Sequence, residues 1–203
     1  PVIDDKFKMY FHKVLAERFE AMFGKGRMSD AFLLRKVLDA RLDRFLDEEA
    51  AGHERQVEQI MYLEKKFEDQ LALSCGKINF VYRVDRVDQM TDGTIIILDY
   101  KTGSVDPMPK AIESIETMEL SRESIRDKVI SFQIPLYFFY LDKTFKGKQV
   151  NAAYYNFRTL EIHKFIDHKM TFDSARINAA FLRPLSFIMA EILDPCIPFR
   201  DEK

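Results

Sequence analysis

The chain has 203 residues, 47% of them hydrophobic, which is enough for one substantial core and too few for several domains of ordinary size. Lys and Arg total 31 against 33 Asp and Glu, a net charge of -2, which excludes a globally basic protein and leaves only local patches for gripping a polyanion. The two cysteines, Cys75 and Cys196, are distant and form no CxxC pair, which excludes a disulfide framework or zinc site within the chain and points to a reducing, cytoplasmic setting.

Along the chain, Phe7, Tyr10, Phe11, Val14, Leu15, Phe19, Met22 and Phe23 recur at the spacing of one helical face. They predict an amphipathic helix from Asp4 to about Phe23, ended by Gly24 and Gly26. Ser29-Asp30 reads as the N-cap of a second helix with Phe32, Leu33, Val37, Leu38, Leu42, Phe45 and Leu46 on its buried side. A short third helix is predicted from Arg55 to about Met61. Composition then changes. Tyr62 to Leu73 reads as a strand, and Lys77 to Gln89 and Thr94 to Lys101, rich in Val, Ile, Tyr and Phe, flank Thr91-Asp92-Gly93 as a β-hairpin. After Thr102-Gly103 a polar loop is expected to about Leu120. The helical period returns from Ser121 through Ile125, Val129, Phe132, Leu136 and Tyr140, with a kink expected at Pro135. Strands follow at 149–158 and 160–166, then a last helix from about Ser174 to Ile192.

These elements make a mixed α/β or α+β layer fold. One domain is expected over 1–203, with a helical N-terminal part (1–61) and a core sheet with flanking helices (62–203). No apolar run approaches the roughly 18 residues of a membrane span, no signal peptide is visible, and no membrane partner is expected. Because it starts at Pro1 and stops at Lys203, the chain is expected to be a fragment of a longer protein.

A hairpin centred on Asp92 sets Asp85 opposite Asp99. Like charges there, with Cβ atoms roughly 5 Å apart, are destabilising unless something neutralises them, and a divalent cation would do so. Lys101 lies two residues beyond Asp99 and so shares its face, while Tyr100 points to the other. Carboxylate oxygens are hard ligands that suit Mg²⁺ or Mn²⁺. Such an ion with an adjacent lysine suits phosphodiester hydrolysis, since it activates water and offsets transition-state charge. A surface salt-bridge ladder is the plain alternative. Its weakness is the setting directly after Ile95-Ile96-Ile97-Leu98, where unpaired charge is costly.

The string Val84-Asp85-Arg86-Val87-Asp88, then Asp92-Gly93, then Leu98-Asp99-Tyr100-Lys101-Thr102-Gly103 resembles the nuclease motifs of the RecB/AddB branch of the PD-(D/E)xK superfamily. Gln133-Ile134-Pro135-Leu136-Tyr137 resembles that branch's QxxxY motif, and Phe11-His12-Lys13-Val14-Leu15 its helical motif carrying a metal-binding histidine. The resemblance implies a restriction-endonuclease-like core and Mg²⁺-dependent cleavage of DNA, often single strands threaded from a helicase domain or subunit. It implies His12, Asp85, Asp99 and the Tyr100 carbonyl as metal ligands, Lys101 as the catalytic lysine, and Gln133 and Tyr137 lining the site. Glu64 stands where the family often carries an acidic residue. Two departures stand out. Tyr82 replaces a frequent glycine three residues before the first motif aspartate. Cys196 alone lies near the place of an iron–sulfur cluster that many relatives hold with about four cysteines, so the resemblance implies no cluster in this chain and leaves room for one in a longer protein.

Arg83, Arg86, Lys110, Arg122, Arg126 and Lys128 are candidate phosphate contacts for DNA tracking. The leading expectation is a Mg²⁺- or Mn²⁺-dependent deoxyribonuclease of repair or recombination, an exonuclease rather than an endonuclease. Two alternatives are a noncatalytic domain that keeps the fold to grip DNA or brace a subunit, and a metal-dependent phosphoesterase for nucleotides or RNA.

Overall fold

The computed structural model describes residues 3–23, 28–52, 57–167 and 173–198, with backbone alone for 28–30. By backbone contacts the chain divides into two compact units: Pro1–Gln56 with Phe157–Glu161, and Val57–Asn156 with Ile162–Lys203.

The first unit is helical. Helix α1 spans Asp5–Phe23 and α2 spans Met28–Ala51. Asp4 precedes α1 and its Oδ1 accepts the Phe7 backbone N–H at 2.8 Å, an N-cap contact. Phe19 is buried, whereas Tyr10, Met22, Phe32 and Leu33 stay exposed. The stripe read from Phe32 and Leu33 is therefore solvent-facing at its start and buried later, at Leu46. Phe45 packs on Phe157 with ring centroids 4.8 Å apart. Gly24 and Gly26 lie outside the described residues. Ser29 and Asp30 fall in the first turn of α2, and nothing is described of their side chains.

The second unit is built on a five-stranded sheet in the order β1-β2-β3-β4-β5. Strand β1 spans Val57–Leu73, β2 Gly76–Met90, β3 Ile95–Lys101, β4 Val150–Asn156 and β5 Ile162–Lys164. The short helix expected at 55–61 is corrected. Residues 57–61 are strand and pair with the far end of β2, because a two-residue turn at Ser74-Cys75 brings back a β2 long enough to cover them. Residues 55 and 56 lie outside the described residues. β2 and β3 are antiparallel in the expected register, Arg86↔Leu98 through Gln89↔Ile95, around Asp92-Gly93 with Gly93 at φ 85°. β3 and β4 are parallel, and β4 and β5 antiparallel, so the sheet is mixed.

Helix α3 spans Ile112–Glu116, inside the expected loop; α4 spans Arg122–Lys128, α5 Gln133–Thr144 and α6 Ser174–Leu193. Ile115, Ile125, Phe138 and Phe181 from these helices form one core with Val87, Ile95, Ile97, Ala152 and Tyr154, which share a face of the sheet. The single kinked helix expected from Ser121 is also corrected. The chain breaks before Pro135, at Val129–Phe132, where Ile130 takes φ 64°. Pro135 then sits in the first turn of α5, where its missing N–H has no partner to lose, so it starts a helix instead of kinking one. Among the described residues, no helix is long and apolar enough to cross a membrane. The result is the mixed sheet with flanking helices of a restriction-endonuclease-like α/β fold.

Candidate active site

The ladder between β2 and β3 stops at Arg86↔Leu98, while β3 goes on pairing with β4 as far as Lys101↔Asn156. One step past the last rung, Asp85 and Asp99 stand in opposed positions. There the Tyr100 N–H donates to Asp85 Oδ2 at 2.7 Å. The end of one ladder thus fixes the first carboxylate by a backbone bond.

The second carboxylate is held from α5. Gln133 Nε2 donates to Asp99 Oδ1 at 2.7 Å and lies 3.1 Å from the Tyr137 hydroxyl. That hydroxyl lies 3.4 Å from Asp99 Oδ1 and donates to the Arg83 carbonyl at 3.1 Å. Gln133 and Tyr137 occupy i and i+4 positions and so share one helix face. Lys101 Nζ is 2.8 Å from Asp99 Oδ2, donates to Gln133 Oε1 at 3.0 Å, and sits 4.8 Å from the centroid of the Tyr154 ring. Asp85, Asp99, Lys101, Gln133 and Tyr137 therefore meet in one place.

Asp99 is 6% exposed. Burial raises its carboxyl above the usual carboxylate range; the Lys101 hydrogen bond and charge pull the other way, and the Asp85 charge adds to the rise. For Lys101 burial opposes the charge, yet the Asp99 hydrogen bond and charge outweigh it and hold the amine above its ordinary value. The two partners differ because the carboxylate is the deeper of the pair, so desolvation wins there and the ion pair wins on the lysine. Burial pushes the Tyr137 phenol up to about 12, keeping its proton in place as a donor.

Asp99 Oδ2 is buried, and its close neighbour is the Lys101 ammonium at 2.8 Å. That oxygen and the carboxylate of Asp85, whose charge is felt at Asp99, make an all-oxygen donor set that fits a hard divalent cation. Among the described residues no three His, Cys, Asp or Glu side chains converge, so two carboxylates are what this unit offers; Mg²⁺ is commonly held by one or two.

The remaining candidates are placed as follows. His12 belongs to the first unit, where its Nε2 lies 2.7 Å from Asp43 Oδ1. Arg83 and Lys110 are exposed. Arg122 pairs with Glu191 at 2.9 Å, Arg126 with Asp127 at 3.4 Å, and Lys128 reaches the Ser114 carbonyl at 3.3 Å. Arg86 is corrected as a phosphate contact. It is 5% exposed and its Nε donates to Asp88 Oδ1 at 2.7 Å, so it faces the interior. Glu64 is exposed with φ 48°. Tyr82 fills its position with a ring stacked on Phe67 and Tyr140, at 5.1 and 4.6 Å between centroids. Sequence reading missed Tyr154, whose place beside Asp99 follows from parallel pairing with a distant strand.

No curated protein matches this chain. Among solved structures, one titled "Crystal structure of SSO0001" aligns with 90% of this chain and 81% of that chain, at 12% identity and a TM-score of 0.34. The match that covers the site is to a family: the PD-(D/E)XK nuclease superfamily aligns over residues 7–203, from α1 past the end of α6, and the chain belongs to that superfamily.

Proposed function

We propose that the chain is a divalent-cation-dependent deoxyribonuclease. One observation carries this reading: the buried Asp99 carboxylate is tied down on Oδ1 by Gln133 and presents Oδ2 to Lys101, with Asp85 opposite. Asp85, Asp99 and the Tyr100 carbonyl are the groups that would hold the cation. When bound there, Mg²⁺ or Mn²⁺ supplies Lewis-acid polarisation of a phosphate and easier ionisation of water.

The protein's own groups do the rest. Lys101, 2.8 Å from Asp99 Oδ2, offers positive charge to a scissile phosphate as negative charge builds. Gln133 and Tyr137 keep Asp99 in one rotamer, so the carboxylate is ordered before substrate arrives.

The order of the four motifs supports the finer reading, an exonuclease domain of RecB/AddB type working in the cytoplasm on single-stranded DNA beside a helicase in repair or recombination. Exposed Arg83 and Lys110 are its candidate phosphate contacts. The resemblance also gives His12 a ligand's role, which His12→Ala tests by the Mn²⁺ concentration needed for half-maximal cleavage.

The deciding experiment compares this chain with Lys101→Ala and Asp99→Ala on single- and double-stranded DNA, with and without Mg²⁺ or Mn²⁺. Cleavage that needs the ion and falls at least about 100-fold in both variants is expected. Equal cleavage by all three proteins overturns the assignment.

A further inference from the structure

The structure assigns Arg86 the role of a positioning residue: from the opposite face of the sheet it holds Tyr100, the residue whose backbone fixes Asp85. This rests on the reading of Asp85, Asp99 and Lys101 as a nuclease centre.

Strand alternation puts Arg86 on the face away from Asp85, and Tyr100 on the face away from Asp99 and Lys101. On that face Arg86 and Asp88 make an ion pair at 2.7 Å with side chains 7% and 0% exposed. A guanidinium sunk this far is costly unless each N–H finds a partner. One finds Asp88, and Nη1 reaches toward the Tyr100 hydroxyl at 3.4 Å. The Tyr100 ring also lies against Tyr155 of β4, 5.7 Å between centroids. These contacts hold Tyr100 just beyond the last β2–β3 rung, Arg86↔Leu98. Its amide then meets Asp85 Oδ2 at 2.7 Å. A buried charge on one face thereby sets the rotamer of a carboxylate on the other, with Tyr100 as the rigid link. Lysine does not replace Arg86 in this part, because a single ammonium lacks the planar fork that serves a carboxylate and a phenol together.

Two mild variants test the assignment, Arg86→Lys and Tyr100→Phe, with Asp99→Ala as the control for the site itself. Amide hydrogen exchange at Tyr100, referenced to the Leu98 amide, reads the clamp directly without substrate or metal. Steady-state cleavage of single-stranded DNA with Mn²⁺ reads its consequence. Exchange at Tyr100 is expected to rise at least about tenfold in both variants while Leu98 stays unchanged. The same variants should lose kcat by about 10-fold, the usual cost of losing an outer partner of a ligand, with KM within twofold. A merely structural role would raise exchange at Leu98 and Tyr100 alike and leave kcat of the folded fraction unchanged. Tyr100 exchange within twofold of the parent protein overturns the inference, as does raised exchange with kcat unchanged. If instead the parent and Asp99→Ala cleave equally, the nuclease reading fails by itself, and the exchange at Tyr100 still decides whether Arg86 positions it.

Discussion

Gln133 holds Asp99 and touches Lys101 with the two ends of one amide. Nε2 donates to Asp99 Oδ1 at 2.7 Å and Oε1 accepts from Lys101 Nζ at 3.0 Å. A carboxylate in place of that amide cannot donate to Asp99 and adds a third negative charge beside two. Gln133→Glu is therefore expected to lower kcat by roughly 10- to 100-fold, and Gln133→Ala by less than Gln133→Glu. Single-turnover cleavage measures this, and a Glu variant as active as the parent would show that the amide does not orient Asp99.

A cation that binds the folded site and not the unfolded chain raises stability by mass action. At about 100 times its Kd the gain is about 2.7 kcal/mol, or roughly 5–10 °C in Tm for a chain of this size. Thermal unfolding with Mn²⁺ should show that rise in the parent protein. Asp99→Ala should show almost none. Equal shifts in both would place the ion elsewhere.

The centre of the site was legible and its surroundings were not. Period-two alternation together with Asp92-Gly93 sufficed to oppose Asp85 and Asp99, because a tight turn transmits register over a few residues. The i, i+4 spacing similarly put Gln133 and Tyr137 on one face. Arg86 was misread although the same alternation turns it away from Asp85; a cationic residue in a motif suggested phosphate, and local pattern does not reveal burial. Residues 57–61 looked helical because short mixed runs fit either period, and only the length of β2 decides. Pro135 reads as a kink because the helical period runs on from Ser121 past it, and nothing in the sequence marks Ile130, a β-branched residue, as a break at positive φ.

Asp69 on β1 ties that strand to α5 through Lys143, whose Nζ lies 2.5 Å from Oδ2. The Lys143 hydrogen bond, then the Gln70 backbone N–H, hold the Asp69 carboxyl below its ordinary 3.8. A depressed folded pKa contributes stability above the unfolded value and loses it as pH falls through the folded one. The Tm of Asp69→Asn should thus fall below that of the parent at neutral pH, and the gap should close progressively below pH 3.8. Added salt should narrow it as well, because the pair is solvent-facing. A gap that is constant from pH 7 to acid would mean that packing, not charge, is lost.

The break that lets α5 begin at Gln133 depends on Ile130, the residue after the α4 C-cap, at φ 64°. Left-handed backbone costs an L-residue roughly 1–2 kcal/mol, and a β-branched side chain has no local hydrogen bond to offset it. Helices that end this way usually place glycine there. Ile130 is 37% exposed, so part of its side chain contributes little burial. Comparing Ile130→Gly with Ile130→Ala separates backbone from side chain, since both lose the same branches and only glycine sheds the strain. The Gly variant should be more stable than the Ala variant by about 1 kcal/mol, even after allowing for glycine's greater freedom in the unfolded chain. Denaturant midpoints at constant slope measure the difference. An Ala variant as stable as the Gly variant would mean that the turn before Gln133 relaxes out of the left-handed region once the branched side chain is gone.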